Sequence, residues 1–225
     1  MDQRDLKHQP LDKYVPAYWR DVTWRRFTNE MMPDLRRDPL ALRQEYFARN
    51  LQMVGALHHA GVPFMAGTDT APGVYIVPGF SLHDELANFV EAGFTPLESL
   101  QTATSNPAKF LGLDASFGSV DVGKIADLVL LRGNPLDDIR NTQKISAVIQ
   151  NGRLFDRAAL DGILMNVELT AKRLKESDSS FPRTNKIQKS TIPEIGVGSL
   201  DHRQPSARAI SGKNGNILRI SSSLG

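Results

Sequence analysis

Apolar residues repeat with helical spacing between residues 40 and 60. From Leu40 to Leu57 they recur three, four or seven positions apart, which places them on one helix face. Asp38 followed by Pro39 is typical of a helix start, because Asp can cap free amide groups and Pro suits the first helical position. Gly61 suits the left-handed turn that ends a helix. The pattern therefore predicts one long helix here.

Polar capping residues predict further helices. We expect one to begin near Ser81 and close at Gly93, with Asp84 and Glu85 in its first turn, where the helix dipole favours carboxylates. Thr95-Pro96-Leu97-Glu98 has the composition of a capping box. Similar signals predict helices over residues 17–31, 105–112 and 158–175.

A short apolar run, residues 62–67, predicts a buried strand that leads to Asp69 and then to a loop of glycine and proline. Pro63 is tolerated because it lies at the start of the strand. Taken alone, an Asp in this position is more often a turn or a helix cap than a catalyst. Catalytic groups nevertheless lie at the ends of strands in parallel barrels. The residues alone leave both interpretations open.

The pattern changes to short strands after residue 115. Residues 127–131 form one β-rich run, and two more runs flank Asn151-Gly152, the preferred dipeptide of a type I′ hairpin. Helix, strand and helix in succession are typical of an α/β protein. Residues 177–225 are rich in Ser, Lys and Asn, which predicts a disordered tail.

Charge is distributed unevenly along the chain, although the net charge is only +2. Residues 51–169 hold 13 acidic and 7 basic side chains, whereas residues 170–225 hold 4 and 10. The positive charge is concentrated where folding signals are weakest, so the pI of 8.9 does not indicate a nucleic-acid-binding domain. We expect no nucleic-acid partner.

The remaining composition fits a soluble protein. The 225 residues are 40% hydrophobic, which is enough for a core. The absence of cysteine excludes disulfides and thiolate metal sites. The first ten residues are polar and lack the apolar region of a signal peptide, and no apolar stretch is long enough to span a bilayer. We expect no membrane partner, and the compartment is left open.

Four stretches follow one another in a distinctive order: AGVPFMAGTDT, PGFSLHDELANFVEAGFTPLESLQTATSNPAKFLGL, GSVDVGKIADLVLL and AVIQNGRLFDR. This succession resembles the C-terminal portion of the amidohydrolase superfamily, nearest to its imidazolonepropionase-like and prolidase-like members. The resemblance covers about residues 45–162. Several motifs in order are more specific than any single short match.

The resemblance implies an α/β fold, namely the C-terminal fragment of a (β/α)8 TIM-like barrel with part of a small β-sandwich. Strand eight of the barrel would be residues 62–69. The implied organisation is a barrel part at 1–115, sandwich strands at 116–158, a terminal helix at 159–176 and a disordered basic tail at 177–225.

The resemblance also implies a role for Asp69. In the family, the aspartate that ends strand eight binds the catalytic metal and takes the proton from the metal-bound water. The implied cofactor is a divalent metal, with Zn²⁺ the expected ion in the complete enzyme. A metal lowers the pKa of its bound water, and a nearby carboxylate can collect the proton.

The other metal ligands of the family have no counterpart in this sequence. The family pattern requires a His-x-His pair on strand one, a bridging Lys or Glu near strand four, and histidines after strands five and six. The histidines of the chain match none of these positions; they are His8, His58, His59, His83 and His202. Catalytic zinc normally takes three protein ligands. Whether the isolated chain is an enzyme is therefore left open.

Two further residues are candidates for substrate binding. His83 lies near the start of the helix that follows Asp69, and Tyr75 lies in the intervening loop, on the face where barrel loops determine specificity. Each also has a simpler interpretation, in which His83 packs at the helix start and Tyr75 packs the loop. His58 and His59 are adjacent on one helix, so they point about 100° apart and do not chelate one metal together.

The sequence therefore predicts part of a metal-dependent hydrolase of C–N bonds. Its substrate would be a small molecule with a non-standard or cyclic amide or a dipeptide-like bond. The rival hypothesis is a barrel remnant without catalytic activity, acting as a binding or structural module. A homo-oligomer is left open in both cases.

Overall fold

The computed structural model describes residues 11–24, 26–31, 38–69, 76–174 and 217–218. These ranges hold the α-helices α1 Leu40–His59, α2 Phe80–Glu91, α3 Pro96–Thr102, α4 Ser105–Phe110 and α5 Arg157–Arg173. Two short 3-10 helices span Asp12–Tyr14 and Ile139–Gln143. No helix in the described ranges combines the length and the apolar character needed to cross a membrane.

The helix predicted over residues 17–31 is present in a widened form. Its main sections, Trp19–Trp24 and Phe27–Met31, are π-helical. Trp24 is only 3% exposed and packs with Val15 and Val77, which forms a small apolar cluster at this end of the chain. Trp24 therefore serves as core, and the half-buried Trp19 packs against the same cluster.

The predicted caps are mostly confirmed. The capping box is complete, since the Thr95 hydroxyl accepts from the Glu98 amide at 3.2 Å while the Glu98 carboxylate accepts from the Thr95 amide at 2.8 Å. Gly61 follows α1 with φ of 80°, as a helix-ending glycine should. The prediction for Asp38 was wrong, because Pro39 is the N-cap and no side-chain hydrogen bond caps α1.

One antiparallel sheet follows the helices. Strands β1 Leu128–Leu131, β2 Ile145–Gln150, β3 Arg153–Asp156 and β4 Ile217–Leu218 lie in the order β3-β2-β1-β4. Asn151 and Gly152 join β2 to β3 with φ of 49° and 73°, which confirms the predicted type I′ turn. The rest of the predicted tail lies outside the described residues.

The predicted strand over residues 62–69 does not form. Residues 62–69 pair with no strand in the part of the chain that the structure describes. A strand requires a neighbour for its amide and carbonyl groups, and here some of those groups bond to helices instead. The described residues also contain neither a closed barrel nor a second sheet to complete a sandwich. The barrel and sandwich boundaries stay predictions.

The main core joins the helices to the segment between α1 and α2. Leu86, Leu100, Ala103 and Ile139 are buried together, and Ala66 of this segment packs against them. Ile139 belongs to the 3-10 helix that precedes β2, so the core links the helical part of the chain to the sheet. The segment that leads to Asp69 therefore lies against a fixed helical surface.

Candidate active site

Three helices hold the segment that leads to Asp69. The amide of Ala66 donates to the Thr102 carbonyl of α3 at 2.9 Å. The Nδ2 group of Asn106, in α4, donates to the Phe64 carbonyl at 2.9 Å. In a third hydrogen bond, the Gly67 amide of the segment donates to the carboxylate of Glu85 in α2. These contacts fix the path of the backbone although no sheet supports it.

Asp69 is the last described residue before the loop 70–75. Its side chain is exposed and its φ is 49°, a left-handed conformation that Asp adopts more readily than most residues. The chain therefore turns sharply at this carboxylate. Tyr75 lies in the loop, outside the described residues.

His83 links α2 to the 3-10 helix before β2. Its Nδ1 lies 3.0 Å from the hydroxyl oxygen of Thr142. The single hydroxyl hydrogen of Thr142 is donated to the Ile139 carbonyl at 2.8 Å, so Nδ1 of His83 must be the donor in this pair. Burial lowers the pKa of His83, opposed by the charge of Asp84. In the neutral ring, Nε2 is then left as an acceptor.

The prediction that Glu85 lies in the first turn of its helix was wrong. The helix begins at Phe80, so Glu85 lies beyond the first turn. Its Oε1 accepts a hydrogen bond from the Gly67 amide at 2.9 Å. Its Oε2 is buried and has no hydrogen-bond partner in the described part of the chain. Burial raises the pKa of this carboxyl, opposed by the bond from Gly67.

Comparison with known proteins decides the family. The profile described as "Amidohydrolase family" matches residues 18–155, more than half of the chain. The chain belongs to the amidohydrolase family. The match begins earlier than the resemblance drawn from the motifs, so it includes the π-helical segment and α1.

Named relatives match this amidohydrolase over shorter ranges. An imidazolonepropionase of Pseudomonas syringae pv. tomato is 44% identical over 88 residues, which are 37% of this chain and 21% of that protein. An ochratoxinase of Aspergillus niger is 40% identical over 101 residues, 43% of this chain and 20% of that protein. The chain thus spans about a fifth of the length of these curated relatives.

Solved structures give partial matches as well. A Xaa-Pro dipeptidase with bound methionine in the active site aligns with a TM-score of 0.43 and 31% identity, over 47% of this chain and 25% of that one. An amidohydrolase from Thermotoga maritima aligns with a TM-score of 0.40 and 28% identity, over 48% and 26% of the two chains.

Within the ranges that the structure describes, the residues of this amidohydrolase do not by themselves fit a metal ion. Amidohydrolases are generally metal-dependent. No group of three or more His, Cys, Asp or Glu side chains within the described ranges is placed to hold a metal. Asp69 is exposed, and Nδ1 of His83 is occupied by Thr142. A single carboxylate is too few ligands for a catalytic metal.

The two adjacent histidines of α1 make separate structural contacts. The ring of His58 stacks on Phe94 with centroids 3.7 Å apart, and its Nε2 lies 3.5 Å from a carboxylate oxygen of Glu98. The Nδ1 of His59 lies 2.7 Å from the Gly55 carbonyl of its own helix. Both rings serve the packing of α1 in this structure.

Proposed function

We propose that this chain supplies the catalytic carboxylate, Asp69, of a hydrolase that cleaves C–N bonds in small molecules. The substrate class would be a non-standard or cyclic amide or a dipeptide-like compound. The supporting observation is the family match, which includes Asp69. Asp69 ends a segment that is hydrogen-bonded to α2, α3 and α4.

The chemistry proposed for Asp69 is that of a general base and acid. A carboxylate at a reacting centre can accept a proton from the attacking water and return it to the leaving nitrogen. Asp69 is exposed, so a substrate can reach it. Its left-handed backbone turns the chain at the same point.

His83 and Tyr75 are proposed to contact the substrate. The hydrogen bond of His83 to Thr142 fixes the ring and leaves Nε2 available as an acceptor for a substrate N–H group. Tyr75 belongs to the loop that directly follows Asp69. Both residues are proposed to bind the substrate on which the carboxylate acts.

The complete active site is proposed to be larger than the chain described here. The chain spans about a fifth of its curated relatives, and only Asp69 is offered toward a divalent metal such as Zn²⁺. The barrel and its remaining ligands belong to the same proposal.

A second function has one observation in its favour. Because the described residues hold no cluster of three metal-ligating side chains, the chain fits a binding or structural module without catalytic activity. The two functions differ in one property, namely whether Asp69 is needed for hydrolysis.

A chimeric enzyme tests this difference. In the Pseudomonas syringae imidazolonepropionase, the matched 88-residue stretch would be replaced by the corresponding residues of this chain. We expect the chimera to retain imidazolonepropionase activity and the Asp69→Asn chimera to lose at least 100-fold, the lower range for general acid–base catalysis. Glu91→Gln is the matched control, since Glu91 is an exposed carboxylate at the end of α2.

Two further results complete the test. Mass spectrometry of the purified chain alone is expected to find no stoichiometric metal, in agreement with the described ligand set. If the folded chimera is equally active with Asn at position 69, Asp69 is not catalytic and the module hypothesis replaces the hydrolase.

A further inference from the structure

Glu85 makes the only charged contact that the described residues provide to the segment 62–69. The other two helices reach the segment through a backbone carbonyl and a neutral amide group. Hydrogen bonds to an ionised acceptor are stronger than neutral ones. The Gly67 amide that Glu85 binds lies two residues before Asp69, so it is the last anchored group before the candidate catalytic carboxylate.

The anchored Gly67 amide is close enough in sequence to affect the backbone direction at Asp69. Residues 68 and 69 follow Gly67 directly, and Asp69 then takes a φ of 49°. Among the described residues, no hydrogen bond anchors the backbone amide of Thr68 or Asp69. A change in the position of the Gly67 amide would therefore be transmitted to Asp69 through two peptide groups.

Glu85 is a costly residue in its position. Its Oε2 is buried without a hydrogen-bond partner in the described residues, and a buried polar atom that is left unpaired destabilises the folded state. An apolar side chain of similar size would avoid this cost while still packing in α2. Residues that lower stability in this way are expected at functional sites.

We propose that Glu85 is a positioning residue, which holds the Gly67 amide and thereby sets the direction of Asp69. The functional meaning of this role rests on the proposed catalytic function of Asp69, whereas the contact itself does not. The contact of Glu85 on this segment is with the backbone amide of Gly67, so the proposed effect on Asp69 passes through the backbone.

The test uses the full chain and two substitutions at one position. Glu85→Gln keeps an acceptor oxygen for the Gly67 amide, whereas Glu85→Met removes the acceptor and retains an unbranched side chain. Glu91→Gln, at the exposed end of the same helix, is the matched control. Amide hydrogen exchange and ¹⁵N relaxation by NMR would report on residues 67–69, and calorimetry would report the melting temperature.

We expect Glu85→Met to accelerate exchange of the Gly67 amide at least about tenfold, the effect of losing one hydrogen bond to a charged group. The amides of residues 68 and 69 should become more mobile, while the melting temperature stays level or rises because the unpaired Oε2 is gone. Glu85→Gln should restore the wild-type exchange and mobility, and Glu91→Gln should change neither.

Two results would overturn the proposal. Unchanged exchange at Gly67 in Glu85→Met would show that the carboxylate does not hold this amide. A lower melting temperature, with faster exchange throughout α2, would show that Glu85 serves stability instead. Since no activity is measured, neither result depends on whether Asp69 is catalytic.

Discussion

Gly55 is the point at which α1 and α2 come closest, and replacing it with alanine should destabilise the protein. A Cβ atom at position 55 would lie 2.3 Å from the backbone carbonyl oxygen of Ala92. Ordinary contacts of a Cβ begin at 3.4 Å, so the two chain segments would have to separate by about 1 Å. Backbone cannot rotate away as a flexible side chain does.

The magnitude follows from two opposing effects. Overpacking of a well-packed site costs about 1–3 kcal/mol. Alanine favours a helix over glycine by about 1 kcal/mol, which offsets part of this cost. Because the clash is with backbone, the upper part of the overpacking range, about 2–3 kcal/mol, applies. After the helix gain is subtracted, we expect Gly55→Ala to lower the free energy of unfolding by about 1–2 kcal/mol.

Gly162→Ala is the matched control for this substitution. Gly162 lies inside α5, and a Cβ there would have no atom within 4 Å. It should raise the free energy of unfolding by about 0.5–1 kcal/mol, because only the helix preference changes. Urea unfolding of both variants, followed by circular dichroism, measures the two opposite signs. A Gly55→Ala variant as stable as the wild type would refute the described contact of α1 with Ala92.

Two smaller effects concern caps. Hydrogen bonds from Thr95 and, less, the proximity of His58 lower the pKa of Glu98 below its ordinary 4.5. The ionised Glu98 therefore stabilises the protein above pH 4.5, and this stability is lost as the pH falls through the lowered pKa. We expect Glu98→Gln to lower the melting temperature at neutral pH, and the difference from the wild type to disappear in acid. A difference in melting temperature that is independent of pH would contradict this. Asp156→Ala should cost about 1 kcal/mol in urea unfolding, because Asp156 caps the Ala159 amide at 2.8 Å, whereas Asp156→Asn keeps the acceptor and should cost less.

Local signals in the sequence predicted the elements that depend on local chemistry. The capping box at Thr95 and the turn at Asn151-Gly152 need only residues within four positions of one another, and both formed as predicted. The strand over residues 62–69 needs a partner strand distant in sequence. Its apolar pattern is therefore compatible with a strand but does not provide the neighbour that a strand requires.

The candidate site was predicted in part for the same reason. The motif order identified the family and singled out Asp69, although its catalytic role stays a prediction. Glu85 was interpreted only through its closeness to a helix start. Its contact with Gly67 joins residues 18 positions apart, which no local pattern displays. Its place next to the apolar Leu86, which is fully buried, is the local trace of its partial burial.

The bond between His83 and Thr142 has a consequence for synthesis of the protein on the ribosome. The two residues are 59 positions apart, and translation proceeds at about 5–20 residues per second. The α2 helix thus leaves the ribosome roughly 3–12 s before its hydrogen-bond partner does. During that interval Ile139 has not yet covered Leu86 and Leu100. The nascent chain therefore exposes the apolar surface around Leu86 and Leu100 for seconds before this core can close.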